Sequence, residues 1–376
     1  MVHSLSAMFR EQARGCLPGS RLYASLLVEM ADDLDAGGIT AQVMAGRESD
    51  RPGTVPQLRL LGALHRLVLE RRAPELAPHY PSVGGTAPVD AAWPAAASTM
   101  REHLDELRGL LDRTVQTNEP GRTSALYGAL LVASQRAADS TGPAMPIRLL
   151  EVGASAGLTM LADRYGYAVG RRVLGDRASP LRLRQPWIGV PPADLDVPVR
   201  IVERRGCDPN PIDPTSTDGR LTLTSYVWAD WIERVERLRA ALRVAAEHRP
   251  PIDRATAADW LVERLREPRP GTLTVVWHSV FWQYLTRAER EEARAVVLAA
   301  ADRSTTDAPL AHLSFEPRRL PGGGYRFELR LTRWPGTGDG EVLAVAPGHG
   351  VPTRWSPGPD GDASPPPTPR GARAGR

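Results

Sequence analysis

Beyond Pro146 the chain alternates short apolar runs with stretches of helical periodicity, and one run, LTVVW within residues 272–277, is apolar on both faces. A strand with no polar face must be covered on both sides, which demands a central place in a mainly parallel sheet flanked by helices. Runs at 147–152, 199–207 and 310–315 fit the same alternation of strand and helix. Further on, Tyr325, Phe327, Leu329 and Leu331 alternate with Arg326, Glu328, Arg330 and Thr332, and the turn-rich WPGTGDG leads to VLAVA. That pattern predicts an antiparallel hairpin on the far side of a sheet of six or seven strands.

The amino-terminal part reads as helices. Ser20 can cap a segment whose Leu22, Leu26, Leu27, Met30 and Leu34 share one face, closed by Gly37 and Gly38; Pro56 opens another with Leu61, Leu64, Val68 and Leu69. Helical spacing also predicts helices over 99–115 and 123–138. The expected organisation is therefore an all-α domain at 1–142, a Rossmann-like α/β domain with a mostly parallel sheet at 143–355, and a tail at 356–376 too poor in apolar groups to fold.

Composition narrows the partners. The net charge is +3, yet every basic side chain other than histidine is arginine and these are interleaved with acids, so no phosphate-tracking surface or nucleic acid is expected. No stretch approaches the roughly 18 uncharged apolar residues of a membrane span, and Arg10 and Glu11 interrupt the start where a secretory signal needs an apolar core. These features predict a cytoplasmic protein with no membrane partner. Cys16 and Cys207 match no ligand spacing, so free thiols and no metal are expected.

The chemistry concentrates in RLLEVGASAGL at 148–158. A strand that breaks on glycines and restarts as a helix over LTMLADRYGY would present free N–H groups at the positive end of that helix, a site for anionic or ribose-bearing ligands. GASAG also satisfies G-x-S-x-G, the turn that exposes a serine nucleophile, so a hydrolase built on Ser155 stays open, with Asp208 or Asp259 and His278, His312 or His349 as partners. Upstream strands, which such a hydrolase needs, are absent from the pattern. The cradle reading places Glu151, Gly153, Ala154, Ser155 and Gly157 around a cofactor, Asp208 on a ribose diol, Asp259 and Trp260 at an adenine, and His278 with Ser279 at the rim. Glu151 could instead be a strand-end acid held by backbone donors, Asp208 a turn former, and Asp259 the cap of a helix starting at Trp260.

The segments LEVGASAGL, RRGCDPNPID, SYVWADW, AADWL and WHSVFWQYL, with YPS at 80–82 and QTNEPGR at 116–122, resemble an actinobacterial family of unknown function, numbered 2332 among such domains. In its carboxyl-terminal half that family is similar to Rossmann-like methyltransferases dependent on S-adenosylmethionine. The resemblance implies S-adenosylmethionine as cofactor and methyl transfer to a small molecule, with a non-catalytic nucleotide-binding or S-adenosylmethionine-binding protein as the alternative. Two departures stand out: Ser155 replaces the central glycine of E-x-G-x-G-x-G, and the ribose acid arrives some 50 residues on rather than about 20. The expected base is His278 or Glu119, with Asn118, Arg122 and Trp282 meeting substrate from a helical lid and the aromatic segment after His278. His349, between two glycines, reads as part of a flexible turn.

Overall fold

The computed structural model describes residues 4–355 apart from 48–49, 51–53, 114, 139–142, 322–323 and 337; the tail expected at 356–376 lies outside the described residues. Among the described residues seven α-helices come first: α1 (Leu5–Cys16), α2 (Arg21–Asp35), α3 (Ile39–Val43), α4 (Pro56–Leu69), α5 (Trp93–Glu102), α6 (Leu104–Leu110) and α7 (Thr123–Ala137). Ser20 caps α2, its Oγ accepting the Tyr23 N–H at 3.0 Å. The stripe Leu22, Leu26, Leu27 and Met30 is buried with Phe9, Leu60, Leu61 and Leu64 in a core of its own; each such leucine contributes roughly 1.5–3 kcal/mol. The single helix expected over 99–115 is two, α5 and α6, broken at His103 (φ −114°, ψ 28°) where the imidazole Nε2 meets the Arg72 carbonyl at 3.2 Å.

Helix α7 packs elsewhere. Its apolar residues 125–133 join the core beneath the sheet, and a Cβ on Gly128 would lie 2.1 Å from the Trp355 ring, so only glycine lets α7 approach that closely.

The strands are β1 (Ile147–Val152), β2 (Gly166–Val169), β3 (Arg172–Gly175), β4 (Arg182–Arg184), β5 (Trp187–Ile188), β6 (Ile201–Asp208), β7 (Ile252–Arg254), β8 (Leu273–Ser279), β9 (Leu310–Arg319), β10 (Tyr325–Trp334), β11 (Glu341–Ala346) and β12 (Thr353–Trp355). Helices α8 (Thr217–Ser225) and α9 (Ile232–His248) follow β6, α10 (Ala257–Arg264) follows β7, and α11 (Arg287–Ala301) follows β8. Among the described residues nine strands form one sheet in the order β5-β12-β11-β10-β9-β8-β1-β6-β7, more than the six or seven expected because the short β7, β12 and β5 extend it. β7, β6, β1, β8 and β9 run parallel, and β10 to β12 return antiparallel.

No strand precedes β1 among the described residues. Ile147 and Leu149 of β1 face α7 and α9, while Leu150 and Val152 face α10 and α11, so apolar side chains are buried on both faces of the central strands. The long connection from β1 to β6 contains a three-stranded sheet, β3-β2-β4.

The helix expected directly after the glycine loop does not form. Residues Thr159–Arg164 make a 3-10 segment kinked at Leu161 (φ −89°, ψ 20°), and β2 begins at Gly166. Arg204 from β6 takes the Met160 carbonyl at 2.9 Å, withdrawing an acceptor that a helix would use.

Candidate functional site

The parallel strands deliver Glu151, Asp208 and His278 to one edge of the sheet, with Glu151 level with Gly206 of β6 and Trp277 of β8. Glu151 is 1% exposed; Oε1 accepts from the Thr159 hydroxyl, and the buried Trp277 indole nitrogen lies against the carboxyl group outside good hydrogen-bond geometry. Burial pushes the carboxyl up to about 8, against the pull of the Thr159 hydroxyl and the Arg122 charge.

The glycine loop is closed on itself. It winds through positive φ at Gly153 (69°), Ser155 (52°) and Gly157 (69°). The Ser155 N–H donates to Asp208 Oδ2 at 2.9 Å, and Asp208 Oδ1 accepts the Asn210 N–H at 2.8 Å. The Leu158 N–H donates to Asn118 Oδ1 at 2.6 Å, and the Ala154 N–H to the Cys207 carbonyl at 3.0 Å. Ala154 itself packs on Gly206, where a Cβ would lie 2.6 Å from its own. With the helix missing and these donors engaged, the anion cradle expected from the sequence is not presented. Ser155 Oγ donates to Gln116 Oε1 at 2.7 Å, and among the described residues no imidazole bonds to it.

A turn from the end of β8 covers the loop. A Cβ on Gly153 would meet the Phe281 ring at 2.2 Å. Val280, which precedes that ring, sits at φ +52°, a conformation that costs a β-branched residue on the order of 1–3 kcal/mol. Glu316 on β9 holds the strained turn: its Oε1 accepts the Phe281 N–H at 3.0 Å and the Trp282 N–H at 3.3 Å, and lies 2.7 Å from His278 Nδ1. Burial pushes Glu316 up, but the His278 contact and the two backbone donors outweigh it and leave the carboxyl below its usual range. His278 is fully buried, stacked on Trp282 with centroids 4.4 Å apart, and its Nε2 has no partner.

The polar cluster before α7 is an anchor. Glu119 accepts from Arg234 Nε at 2.7 Å, Arg237 Nε lies 3.0 Å from its other oxygen, and the Gly121 N–H donates to it at 2.9 Å. Burial opposes its ionisation, yet Arg234 and Arg237 hold it down to about 2, so a carboxylate with both oxygens engaged stands where a proton acceptor was expected. Arg122 donates to the Gly348 carbonyl at 3.1 Å and reaches the Ser279 carbonyl at 3.3 Å, tying this segment to both β8 and the turn bearing His349. Burial and the neighbouring arginines pull His349 down to about 3.

Asp259 and Trp260 do not join the edge as an adenine site. Trp260 is 3% exposed in the core under α10, its indole N–H donating to Asp253 Oδ2 at 2.8 Å. Asp259 lies in the first turn of α10 and accepts from Thr256 Oγ1 at 2.7 Å; the helix starts at Ala257, three residues before Trp260. Cys16 and Cys207 are free and buried.

A cleft of about 890 Å³ opens beside the edge, on the α11 face of β8, β9 and β10. His278, Glu316 and Trp282 line it together with His312, Ser314 and Thr332. Sequence reasoning missed Glu316 and this cleft. The available signal was the polar set His312, Ser314, Glu316 and Arg318 alternating with apolar Ala311, Leu313 and Phe315 on a strand read only to residue 315. Among the described residues no helix is long and apolar enough to cross a membrane.

A family model described as "Uncharacterized protein conserved in bacteria (DUF2332)" matches residues 6–355, and the chain belongs to that family. No curated protein and no solved structure matches it.

Proposed function

We propose that this bacterial family member is a Rossmann-like nucleoside-binding protein, with S-adenosylmethionine as ligand and methyl transfer to a small molecule as its reaction. The observation that carries the reading is the parallel order β7-β6-β1-β8-β9. It reverses direction of progression at β1, and in such sheets ligands bind outside the carboxyl ends of the strands at that reversal. Glu151 and Asp208, on adjacent strands there, are the acids such a ligand's amino and hydroxyl groups would meet.

As folded, the crevice does not fit S-adenosylmethionine, because Phe281 lies on Gly153 and Asp208 is committed to the Ser155 and Asn210 amides. The reading therefore requires the Phe281 turn to move aside before the ligand enters. The strain at Val280 and the buried Glu151 carboxyl beneath it support a turn poised to move over a polar floor.

Calorimetry with S-adenosylmethionine and its demethylated product tests this, on the wild type and on Phe281→Ala. Truncating a half-buried ring removes about 1.5 kcal/mol from the closed arrangement, so the variant should bind roughly tenfold more tightly. No heat from either protein with either ligand would end the proposal.

A further inference from the structure

The floor of the cleft beside α11 is the polar face of a sheet whose opposite face is apolar. His312, Ser314 and Glu316 of β9 and Arg330 and Thr332 of β10 face it, while Ala311, Leu313, Phe315, Leu329 and Leu331 lie in the core on the other side. A sheet face destined for a helix would be apolar, so this floor is built to meet water or a polar ligand. The charge around it is one-sided: Arg290, Arg294, Arg318 and Arg330 line the cleft against a single carboxylate, Glu316.

The arginines differ in what they already hold. Arg290 donates to the Leu285 carbonyl at 2.8 Å, and Arg330 is tied to Glu328 at 3.0 Å. Arg294 and Arg318 are exposed, and the side chain of each lacks an ion pair or hydrogen bond among the described residues. At the inner wall, His278 Nε2 and Glu316 Oε2 are buried polar atoms without partners. Burial, with the neighbouring His278 and Arg294, holds His312 down to about 3, so at neutral pH its imidazole adds hydrogen-bonding capacity to the floor without charge.

The geometry points to a binding site for a hydroxylated organic anion in this cleft, its anionic group on Arg294 and Arg318 and its hydroxyl groups on His278 and Glu316. Two cations at the mouth suit a carboxylate or phosphate, with which arginine makes paired hydrogen bonds. The unpartnered nitrogen and oxygen within suit a group that both donates and accepts, as a hydroxyl does. The volume is that of a small-molecule pocket. This site does not depend on the nucleoside reading, since it uses the open face of β9 and β10 and not the crevice above Gly153.

Citrate and glycerol 3-phosphate serve as probes for the carboxylate and phosphate forms, titrated by calorimetry at constant ionic strength. The wild type should bind at least one of them, and which one identifies the anionic group. In the Arg294→Ala/Arg318→Ala double variant affinity should fall at least tenfold, whereas Arg243→Ala, an exposed arginine on α9, should leave it unchanged. The substituted side chains make no hydrogen bond or ion pair among the described residues, so the fold should survive their loss, and a matching thermal melt confirms that it is intact. Absence of binding by the wild type to both probes, or equal losses in the double variant and in Arg243→Ala, overturns the assignment.

Discussion

Replacing Glu151 with Gln should stabilise the protein by an amount that grows with pH. The carboxyl is buried and titrates near 8 in the folded state against an ordinary 4.5. Between those values the folded chain holds a proton that the unfolded chain has released, so stability falls as pH rises. Each unit separating the pH from 4.5 is worth about 1.4 kcal/mol, giving a penalty of about 1 kcal/mol at pH 5 and about 3 kcal/mol at pH 7. Glutamine keeps an acceptor for the Thr159 hydroxyl and carries no charge, so the penalty disappears from the variant. Urea denaturation of both proteins at pH 5, 6, 7 and 8 reads the difference. The variant's advantage should widen by about 2 kcal/mol between pH 5 and pH 7; a gap that stays constant across the series would refute the reasoning.

Removing Glu119 should damage the fold. Glu119→Ala leaves Arg234 and Arg237 with an uncompensated buried charge, and the expected loss is about 3–5 kcal/mol by chemical denaturation, more than for Glu119→Gln. Gly128→Ala drives a methyl into the Trp355 ring and should cost about 1–3 kcal/mol, visible as a lower melting temperature.

Much of the sheet was legible in the sequence because its information is local. The run at 147–152, apolar but for Arg148 and Glu151, became β1 with the same bounds, and Ser20 and Pro56 marked true helix starts. The short β5 and β12 had no such signal: two and three residues carry no periodicity, and they are fixed by long-range packing of Trp187 against Trp355, edge to face at 5.9 Å.

The site was legible in its strand-end residues and illegible in its closure. GASAG reads as an open cradle only if a helix follows, and the segment that stands in its place is held by a contact from Arg204, 44 residues beyond Met160. The plug on Gly153 likewise comes from Phe281, and its hold from Glu316 on a strand further along still. Asp259 and Trp260 misled because a short acidic-aromatic pair beginning a helix looks the same whether it faces a crevice or, as Trp260 does, the core.

The central claim, a nucleoside site that opens when the Phe281 turn leaves Gly153, is tested most directly by amide hydrogen exchange of residues 280–285 with and without saturating S-adenosylmethionine. The account predicts faster exchange at Phe281 and Trp282 when ligand is present, as their amides leave Glu316. Exchange in that segment identical at every ligand concentration would contradict it.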